Sequence, residues 1–167
     1  MYARTKKTVI SALMAALVCI ATMVIRIPSP LKGYINLGDC IVLIAGWMLS
    51  PGYGFLAAGF GSALADLLLG YIVYAPATFV IKGTMATVAF VCLRLMQRPM
   101  GRLKSRLIGG ALAEMVMVLG YFVFEGCLYG FGPSAVNIPA NCMQGAAGLV
   151  IGVILIKVLE KTDICAK

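Results

Sequence analysis

The sequence contains no histidine, and only six of its 167 residues are acidic. Histidine is the usual general acid or base at neutral pH and a common metal ligand, so its absence removes two large classes of active site. The six cysteines are scattered without a CxxC pair or any metal-ligand spacing, which favours a role as small apolar side chains in helices. No serine or cysteine has an evident partner base. We therefore expect no metal ion, no cofactor and no enzymatic activity.

Charge is scarce as well, since charged residues make up 12% of the chain and hydrophobic residues 62%. A soluble domain carries roughly 25% charged residues, so the bilayer is the expected solvent. The length leaves room for a single integral membrane domain over 1–167 and for no separate soluble one. The net charge of +8 does not indicate nucleic acid, because the basic residues lie between apolar runs rather than on one amphipathic face.

Apolar segments follow one another along the chain, and at about 1.5 Å per residue those of about 20 residues cross the ~30 Å hydrocarbon core. The first follows a basic head, as in a signal peptide, but it is too long for a signal core. The second is short and needs flanking residues or local thinning of the bilayer. The sequence thus predicts an all-α bundle of six transmembrane helices. The predicted spans are 8–27, 37–49, 54–74, 75–95, 107–129 and 138–159.

The basic residues indicate which way the bundle faces. Most of the 14 lysines and arginines lie before the first span, between the fourth and fifth, or at the end of the sixth. A six-span path puts all three groups on one side of the membrane. Cytoplasmic loops are enriched in lysine and arginine, so we expect a multi-pass protein of the cell membrane with both termini in the cytoplasm. Without a crossing by 37–49, the basic loop at 94–106 would face outward, against this rule.

The same topology gives a depth to each polar residue inside the apolar segments. A charge at the centre of a bilayer costs about 3 kcal/mol or more, so such residues face the bundle interior or a polar cavity. Charged and amide side chains from different spans fall into one layer of the outer half, and we expect them to line a site that opens outward. They are Asp39, Asp66, Lys82, Glu125, Asn137 and Asn141.

Residues three or four positions apart share a helix face, so helical spacing identifies further side chains that lie beside these polar residues. Aromatic rings stack on a flat ligand while carboxylate and amide groups satisfy its heteroatoms. The pattern favours a flat, polar, largely uncharged ligand, although an aromatic stripe alone is more often core or interface belt. The shared faces hold Thr78 with Lys82, Tyr121 with Glu125 and Tyr129, and Asn137 with Asn141 and Gln144.

Several of these residues have alternative structural roles. Asp39 and Asn137 each stand at the start of a predicted helix, where either side chain serves equally well as an N-cap. Asp66 and Lys82 are candidates for a structural ion pair between spans three and four. Glu125 lies mid-helix without a capping role, which makes it the strongest ligand candidate. A further acidic residue, Glu114, lies deeper on the same span, and the sequence assigns it no role.

Three stretches carry a resemblance that is strongest over 34–83: "INLGD" at the start of span two, "GSALADLLLGY" in span three and "YAPATFVIKG" at the start of span four. They resemble the substrate-binding (S) subunits of energy-coupling factor (ECF) transporters. Within that family the resemblance is to the group that binds riboflavin, hydroxymethylpyrimidine or vitamin B6 (pyridoxine). It covers most of the chain, and its motifs mark the group better than the vitamin.

The resemblance implies a subunit that captures a vitamin from outside and docks on a module of one transmembrane coupling protein and two cytoplasmic ATPases. It further implies that ATP hydrolysis in the module topples the subunit in the membrane and releases the vitamin inside. A small-residue motif in span one of the family meets the coupling helices, and here Ala12 and Ala16 match it. The family's ligand site lies near the outer surface under loops, so the connection 28–36 is a candidate lid.

The expected function is therefore the capture of a small unphosphorylated heteroaromatic vitamin or precursor. The predicted outer layer holds one lysine against three carboxylates, which disfavours a phosphate group. The chain has no phosphate-cradling glycine loop, so the energy for transport has to come from a partner. The alternative is a stand-alone carrier driven by protons or sodium through Asp39, Asp66 and Glu125, although no inverted repeat is evident. A purely structural assembly subunit is a further alternative.

Overall fold

The computed structural model describes residues 2–28 and 34–162 of the chain. Within these residues the protein is almost entirely helical, with two three-residue strands after the first helix. The strands are β1 (Arg26–Pro28) and β2 (Tyr34–Asn36). The helices are α1 (Tyr2–Val24), α2 (Gly38–Met48), α3 (Pro51–Leu68), α4 (Ala75–Met100), α5 (Arg102–Tyr129), α6 (Phe131–Ala135) and α7 (Ile138–Lys161).

Four helical stretches in the described chain are long and apolar enough to cross a bilayer: Arg4–Val24, Ala75–Met100, Arg102–Tyr129 and Phe131–Lys161. They confirm the prediction of a mostly helical, multi-pass membrane protein. The other two predicted spans correspond to α2, which has 11 residues, and α3, which has 18. Both pack against the long helices, α3 on α1 and α4, and α2 on α4 and α7.

Helix α2 is short because it lies inside the bundle rather than against lipid. Nine of its 11 residues are buried, and Val42, Leu43 and Ala45 are fully covered. A helix that is apolar all round is a buried one. The large exposed apolar side chains lie instead on the outer faces of the surrounding helices, as Leu13 of α1, Leu119 of α5 and others do, which is the arrangement expected where lipid is the solvent.

Helix α3 ends earlier than the predicted span, which extends to residue 74. It stops at Leu68 because Gly70 adopts a φ of 85°, a left-handed conformation that glycine enters without strain. The backbone N–H of Tyr71 then donates to the carbonyl of Asp66 at 2.8 Å. The residues between α3 and α4 therefore form a compact turn that holds two tyrosines, Tyr71 and Tyr74, at the end of the bundle.

Helices α1 and α3 approach each other closely at a small residue. A Cβ atom placed on Gly61 of α3 would lie 2.4 Å from the carbonyl oxygen of Ala15 of α1, so only glycine fits there. The same helix α1 presents Ala12 and Ala16 outward, where both are exposed. One face of α1 thus packs inside the bundle. Ala12 and Ala16, the small residues predicted to meet a partner, lie on the outer face.

Strands β1 and β2 pair antiparallel, with Arg26 opposite Asn36 and Pro28 opposite Tyr34. This short hairpin covers the end of the bundle where α1 ends and α2 begins. The predicted lid at 28–36 includes residue 28 of β1 and all of β2, and its residues 29–33 lie outside the described residues. The hairpin positions Tyr34 and Asn36 beside the polar residues of the helices.

Candidate functional site

A polar cavity lies under the hairpin, where the end of α1, strand β2 and helices α3, α4, α5 and α7 meet. Its empty volume is about 480 Å³, a figure that includes space open to solvent. Six of the residues singled out from the sequence line it: Asp66, Thr78, Lys82, Tyr121, Glu125 and Asn141.

A buried polar network closes the bottom of the cavity. The ammonium group of Lys82 on α4 pairs with Asp39 Oδ1 on α2, and the two side chains are 3% and 0% exposed. Gln144 of α7 donates from Nε2 to Asp39 Oδ2 at 2.7 Å and accepts from the backbone N–H of Asn36 at 2.9 Å. Because a buried charge is costly without a partner, this network fixes three helices and strand β2 to one another.

Two of the structural alternatives left open for these residues are wrong. Lys82 pairs with Asp39 and not with Asp66, because α2 runs through the middle of the bundle and brings its first turn against α4. Asp39 is not an N-cap, since it lies within α2 and its carboxylate accepts from Lys82 and Gln144 instead. It supports the cavity from below and is not among the lining residues.

Asp66 has one oxygen engaged and one without a partner. The hydroxyl of Tyr34 donates to its Oδ1 at 2.6 Å, whereas its Oδ2 has no hydrogen-bond partner in the described part of the chain. Burial, reinforced by the charge and hydrogen bond of Asp66, raises the pKa of Tyr34 above its ordinary value, so the phenol stays a donor. The buried hydroxyls of Thr22 and Ser62, also on the cavity wall, likewise have no partner among these residues.

Tyrosine rings make up much of the remaining wall. The rings of Tyr34 and Tyr71 lie 4.8 Å apart, and those of Tyr71 and Tyr74 meet edge to face at 6.3 Å. The hydroxyls of Thr78 and Tyr121 lie 3.0 Å apart, and the Lys82 ammonium lies 5.6 Å from the centre of the Tyr121 ring. The wall therefore offers aromatic faces together with hydroxyl groups, which suits a flat ligand with polar edges.

Hydrogen bonds from the side chain of Asn137 hold the carboxylate of Glu125 in place. The Asn137 side-chain amide donates to both carboxylate oxygens of Glu125 at 3.0 Å, and the Tyr74 hydroxyl donates to one of them at 3.4 Å. Asn137 precedes α7 but makes no capping hydrogen bond through its side chain, so the N-cap alternative is wrong. It does not line the cavity, and neither does Tyr129, which is 37% exposed at the end of α5.

Glu114, which had no assigned role, lies outside the cavity. It is 6% exposed, and its carboxylate oxygens have no partner within residues 2–28 and 34–162. A Cβ atom on Gly148 of α7 would come within 2.7 Å of Asp39 Cβ and 3.2 Å of Glu114 Oε1. The two carboxylates thus flank the same point of α7, with Glu114 facing an apolar groove between α5 and α7.

Sequence reasoning missed nearly half of the cavity wall. Two of the missed residues are hydroxyl side chains inside apolar helices, two belong to the hairpin and two to the turn before α4. Gln144 also lines the cavity; its spacing placed it on the helix face of Asn141, although it was not among the candidate site residues. The missed residues are Thr22, Tyr34, Asn36, Ser62, Tyr71 and Tyr74.

A family model described as "ECF-type riboflavin transporter, S component" matches residues 3–161, nearly the whole chain. The chain belongs to this family. The resemblance seen in the three sequence stretches is thereby confirmed, and the protein is referred to below as the S component. The family is one of transporter components and not a class of enzyme.

Two curated relatives are similar to the S component over most of their length. One is a Pyrococcus woesei protein described as "Uncharacterized protein in gap 3'region", 37% identical over 145 residues, with 86% of this chain and 95% of that protein covered. The other is the "Thiamine precursor transporter HmpT" of Lactococcus lactis subsp. cremoris (strain MG1363), 25% identical over 161 residues, with 95% and 90% covered.

A solved structure has the same fold as the S component. It is described as "Structure and mechanism of the S component of a bacterial ECF transporter" and matches with a TM-score of 0.70. The match covers 95% of this chain and 98% of that one, at 20% sequence identity. At this identity the comparison establishes the helical architecture, and the ligand has to be argued from the cavity.

Proposed function

We propose that this S component is the substrate-capture subunit of an ATP-driven ECF importer and binds one small unphosphorylated heteroaromatic vitamin or precursor. The observation that carries the proposal is the buried carboxylate of Asp66 on the wall of a cavity that tyrosine rings also line, because its Oδ2 has no hydrogen-bond partner among the described residues. A buried carboxylate oxygen without a partner is costly, and a ring N–H or amino group of a ligand supplies the missing donor. The rings of Tyr34 and Tyr71 supply apolar faces for the same ligand.

The charge of the cavity argues against a phosphorylated ligand. Its wall carries two carboxylates, those of Asp66 and Glu125, and one ammonium, that of Lys82. The Lys82 charge is already neutralised by Asp39 beneath it. A phosphate group would therefore meet net negative charge and no free cation, whereas a neutral or weakly basic heterocycle meets hydrogen-bond acceptors.

Among the vitamins considered, a compound of the hydroxymethylpyrimidine type is the first to test. The likeness to a thiamine precursor transporter supports the pyrimidine, and the family description keeps riboflavin as the next compound to test.

We further propose that the chain crosses the membrane six times, with both termini in the cytoplasm and the cavity facing outward. The support is the separation of the two ends of the bundle. The cavity lies at the end of α1 and the start of α4, whereas Arg4, Arg98 and Lys157 lie at the other ends of their helices. The positive-inside rule assigns that basic end to the cytoplasm. Helix α2 completes its crossing inside the bundle, where a shorter apolar length suffices.

Docking on the coupling protein is proposed for the outer face of α1. Ala12 and Ala16 are exposed there, one turn apart, beside the large exposed side chains of Val9 and Leu13. Small residues let two helix backbones approach closely where lipid provides no hydrophobic driving force. Since the opposite face of α1 packs against α3, this face is available to a partner helix without disturbing the bundle.

Binding by the purified S component alone tests the function. The protein is reconstituted in nanodiscs without ATP and titrated calorimetrically with hydroxymethylpyrimidine, pyridoxine and riboflavin. We expect saturable binding of one of the three, weakened by Asp66→Asn and unchanged by Glu114→Gln, a matched change of a carboxyl to an amide outside the cavity. Absence of binding to all three compounds, or equal affinities in both variants, would overturn the proposal.

A transport assay distinguishes the hypothesis of an ion-driven carrier from this proposal. Vesicles that contain only the S component should not accumulate the bound compound under a proton or sodium gradient. Accumulation that collapses with the gradient would instead assign the carboxylates to ion coupling. Uptake should require the complete module with ATP.

A further inference from the structure

A second cavity lies at the opposite end of the bundle from the ligand site. It is formed by the start of α1, the connection from α2 to α3, the end of α4, the start of α5 and the end of α7. Its empty volume is about 1,530 Å³, including space open to solvent. Because it occupies the ends of the membrane-crossing helices, it lies at the level of one membrane surface.

The walls of this cavity are strongly basic. Five of its residues are cationic and one, Glu160, is acidic, which leaves a net charge of +4. Arg106 holds Glu160 with two hydrogen bonds of 2.7 and 2.9 Å, and Arg102 lies 3.6 Å from the same carboxylate. The other cations have no carboxylate partner within the described residues. They are Lys6, Lys7 and Arg94.

The floor of the cavity is apolar. Leu93 and Ile156 are buried there beside Trp47, and the Arg106 guanidinium lies 5.8 Å from the centre of the Trp47 ring. The indole N–H of Trp47 and the Nε–H of Arg106 have no acceptor in the described part of the chain. Cationic side chains at the rim of the cavity and N–H groups without an acceptor near its floor favour a ligand that is anionic and has an apolar portion.

We propose that this cavity binds the phosphate of an anionic phospholipid headgroup. Basic pockets between transmembrane helices bind such headgroups, and each lysine or arginine near the membrane surface adds attraction for anionic lipid. The position at the membrane surface and the apolar floor favour a lipid over a free phosphate ion, since only the lipid also offers an apolar chain. The proposal does not depend on which vitamin is captured, because the two cavities lie at opposite ends of the bundle.

Native mass spectrometry of the full chain, with phosphatidylglycerol or phosphatidylcholine added, tests this site. We compare Arg94→Gln/Arg102→Gln, which removes two charges from the cavity, with Arg98→Gln/Lys104→Gln, which removes two exposed charges of the same region that do not line it. Wild type and the second variant should retain phosphatidylglycerol in preference to phosphatidylcholine. The first variant should retain about tenfold less.

Three outcomes would overturn the proposal. Equal loss in both variants would mean attraction to the whole basic surface, and no preference between the two lipids would mean no headgroup site. Binding of inorganic phosphate, in a parallel titration, with the same dependence on the cavity arginines and without lipid retention would assign the site to a soluble anion. If the first variant fails to fold, Lys6→Gln/Lys7→Gln replaces it, and vitamin binding at the other end reports on folding.

Discussion

Lys82 and Asp39 form an ion pair that joins α4 to α2 at the bottom of the ligand cavity, with both side chains almost fully buried. Because Lys82 pairs with Asp39, it does not pair with Asp66, which lines the cavity and whose Oδ2 has no hydrogen-bond partner among the described residues. The lysine therefore stabilises the bundle through Asp39, and Asp66 is the aspartate that we propose contacts the ligand.

Asp39→Asn should destabilise the S component, because it leaves the buried charge of Lys82 without its counter-ion. Loss of one partner of a buried pair costs about 3–5 kcal/mol. Thermal unfolding in detergent, followed by circular dichroism, should show a clear fall in Tm. The double variant Asp39→Leu/Lys82→Met, which removes both charges, should recover much of the loss, and a double variant as unstable as the single one would contradict this account.

Asp66→Asn should weaken ligand binding and leave the fold intact. The amide keeps an acceptor for the Tyr34 hydroxyl, but the charged acceptor offered to the ligand is lost. A hydrogen bond to a charged group contributes about 1.5–3 kcal/mol, so Kd should rise by roughly 10- to 150-fold. Calorimetric titration measures the change in Kd, and an unchanged Tm shows that the fold is preserved. Wild-type affinity in this variant would remove Asp66 from the site.

Asn137→Ala should weaken binding although Asn137 does not line the cavity. Its amide holds both oxygens of Glu125, so without it the carboxylate keeps, among the described residues, only the long hydrogen bond from the Tyr74 hydroxyl and is less firmly positioned. We expect a smaller loss of affinity than for Asp66→Asn, on the order of 1 kcal/mol. Asn137→Ser, which keeps a shorter donor, should recover part of the loss, and equal affinities in wild type and Asn137→Ala would show that Glu125 is not positioned this way.

Gly148→Ala should be destabilising, because its added methyl group would lie 2.7 Å from Asp39 Cβ. Extra volume in a packed core costs about 1–3 kcal/mol. Gly132→Ala is the matched control, since nothing lies within 4 Å of a Cβ atom at that position. Thermal unfolding should place the control near wild type and Gly148→Ala well below it. Similar Tm values in the two variants would mean that α2 and α7 are less closely packed than described.

Ala16→Leu should impair docking on the ECF module without changing vitamin affinity. The larger side chain would keep a partner helix from approaching the outer face of α1, where Ala16 is exposed. Ala111→Leu, an equivalent change at an exposed position of α5, is the control. Co-purification with a tagged module measures docking. Equal recovery of the two variants would place the coupling surface elsewhere on the S component.

The layer of polar residues was predictable because apolar length and the positions of basic residues together assign a depth to each side chain. Depth placed Asp66, Lys82 and Glu125 at one level, and all three line the cavity. It did not give the rotation of each helix or the order of helices around the bundle. For that reason the sequence could not identify Asp39 as the partner of Lys82. The central position of α2, which carries Asp39, depends on packing among all the helices.

The missed residues show where sequence patterns are weakest. Thr22 and Ser62 look like ordinary small residues of membrane helices, and only their position beside the cavity distinguishes them. Tyr71 was assigned to a span that in fact ends at Leu68, so its place in a turn was not anticipated. Tyr34 reaches Asp66 through a two-stranded hairpin that is too short to produce a recognisable alternating pattern.

Mass spectrometry of the small molecule released by heating the purified S component tests the central claim most directly. Wild-type protein should release one unphosphorylated heteroaromatic compound in roughly equimolar amount, and Asp66→Asn protein, purified in parallel, should release far less. Release of no such compound from protein that is otherwise folded, or release of the same amount from both proteins, would contradict the account.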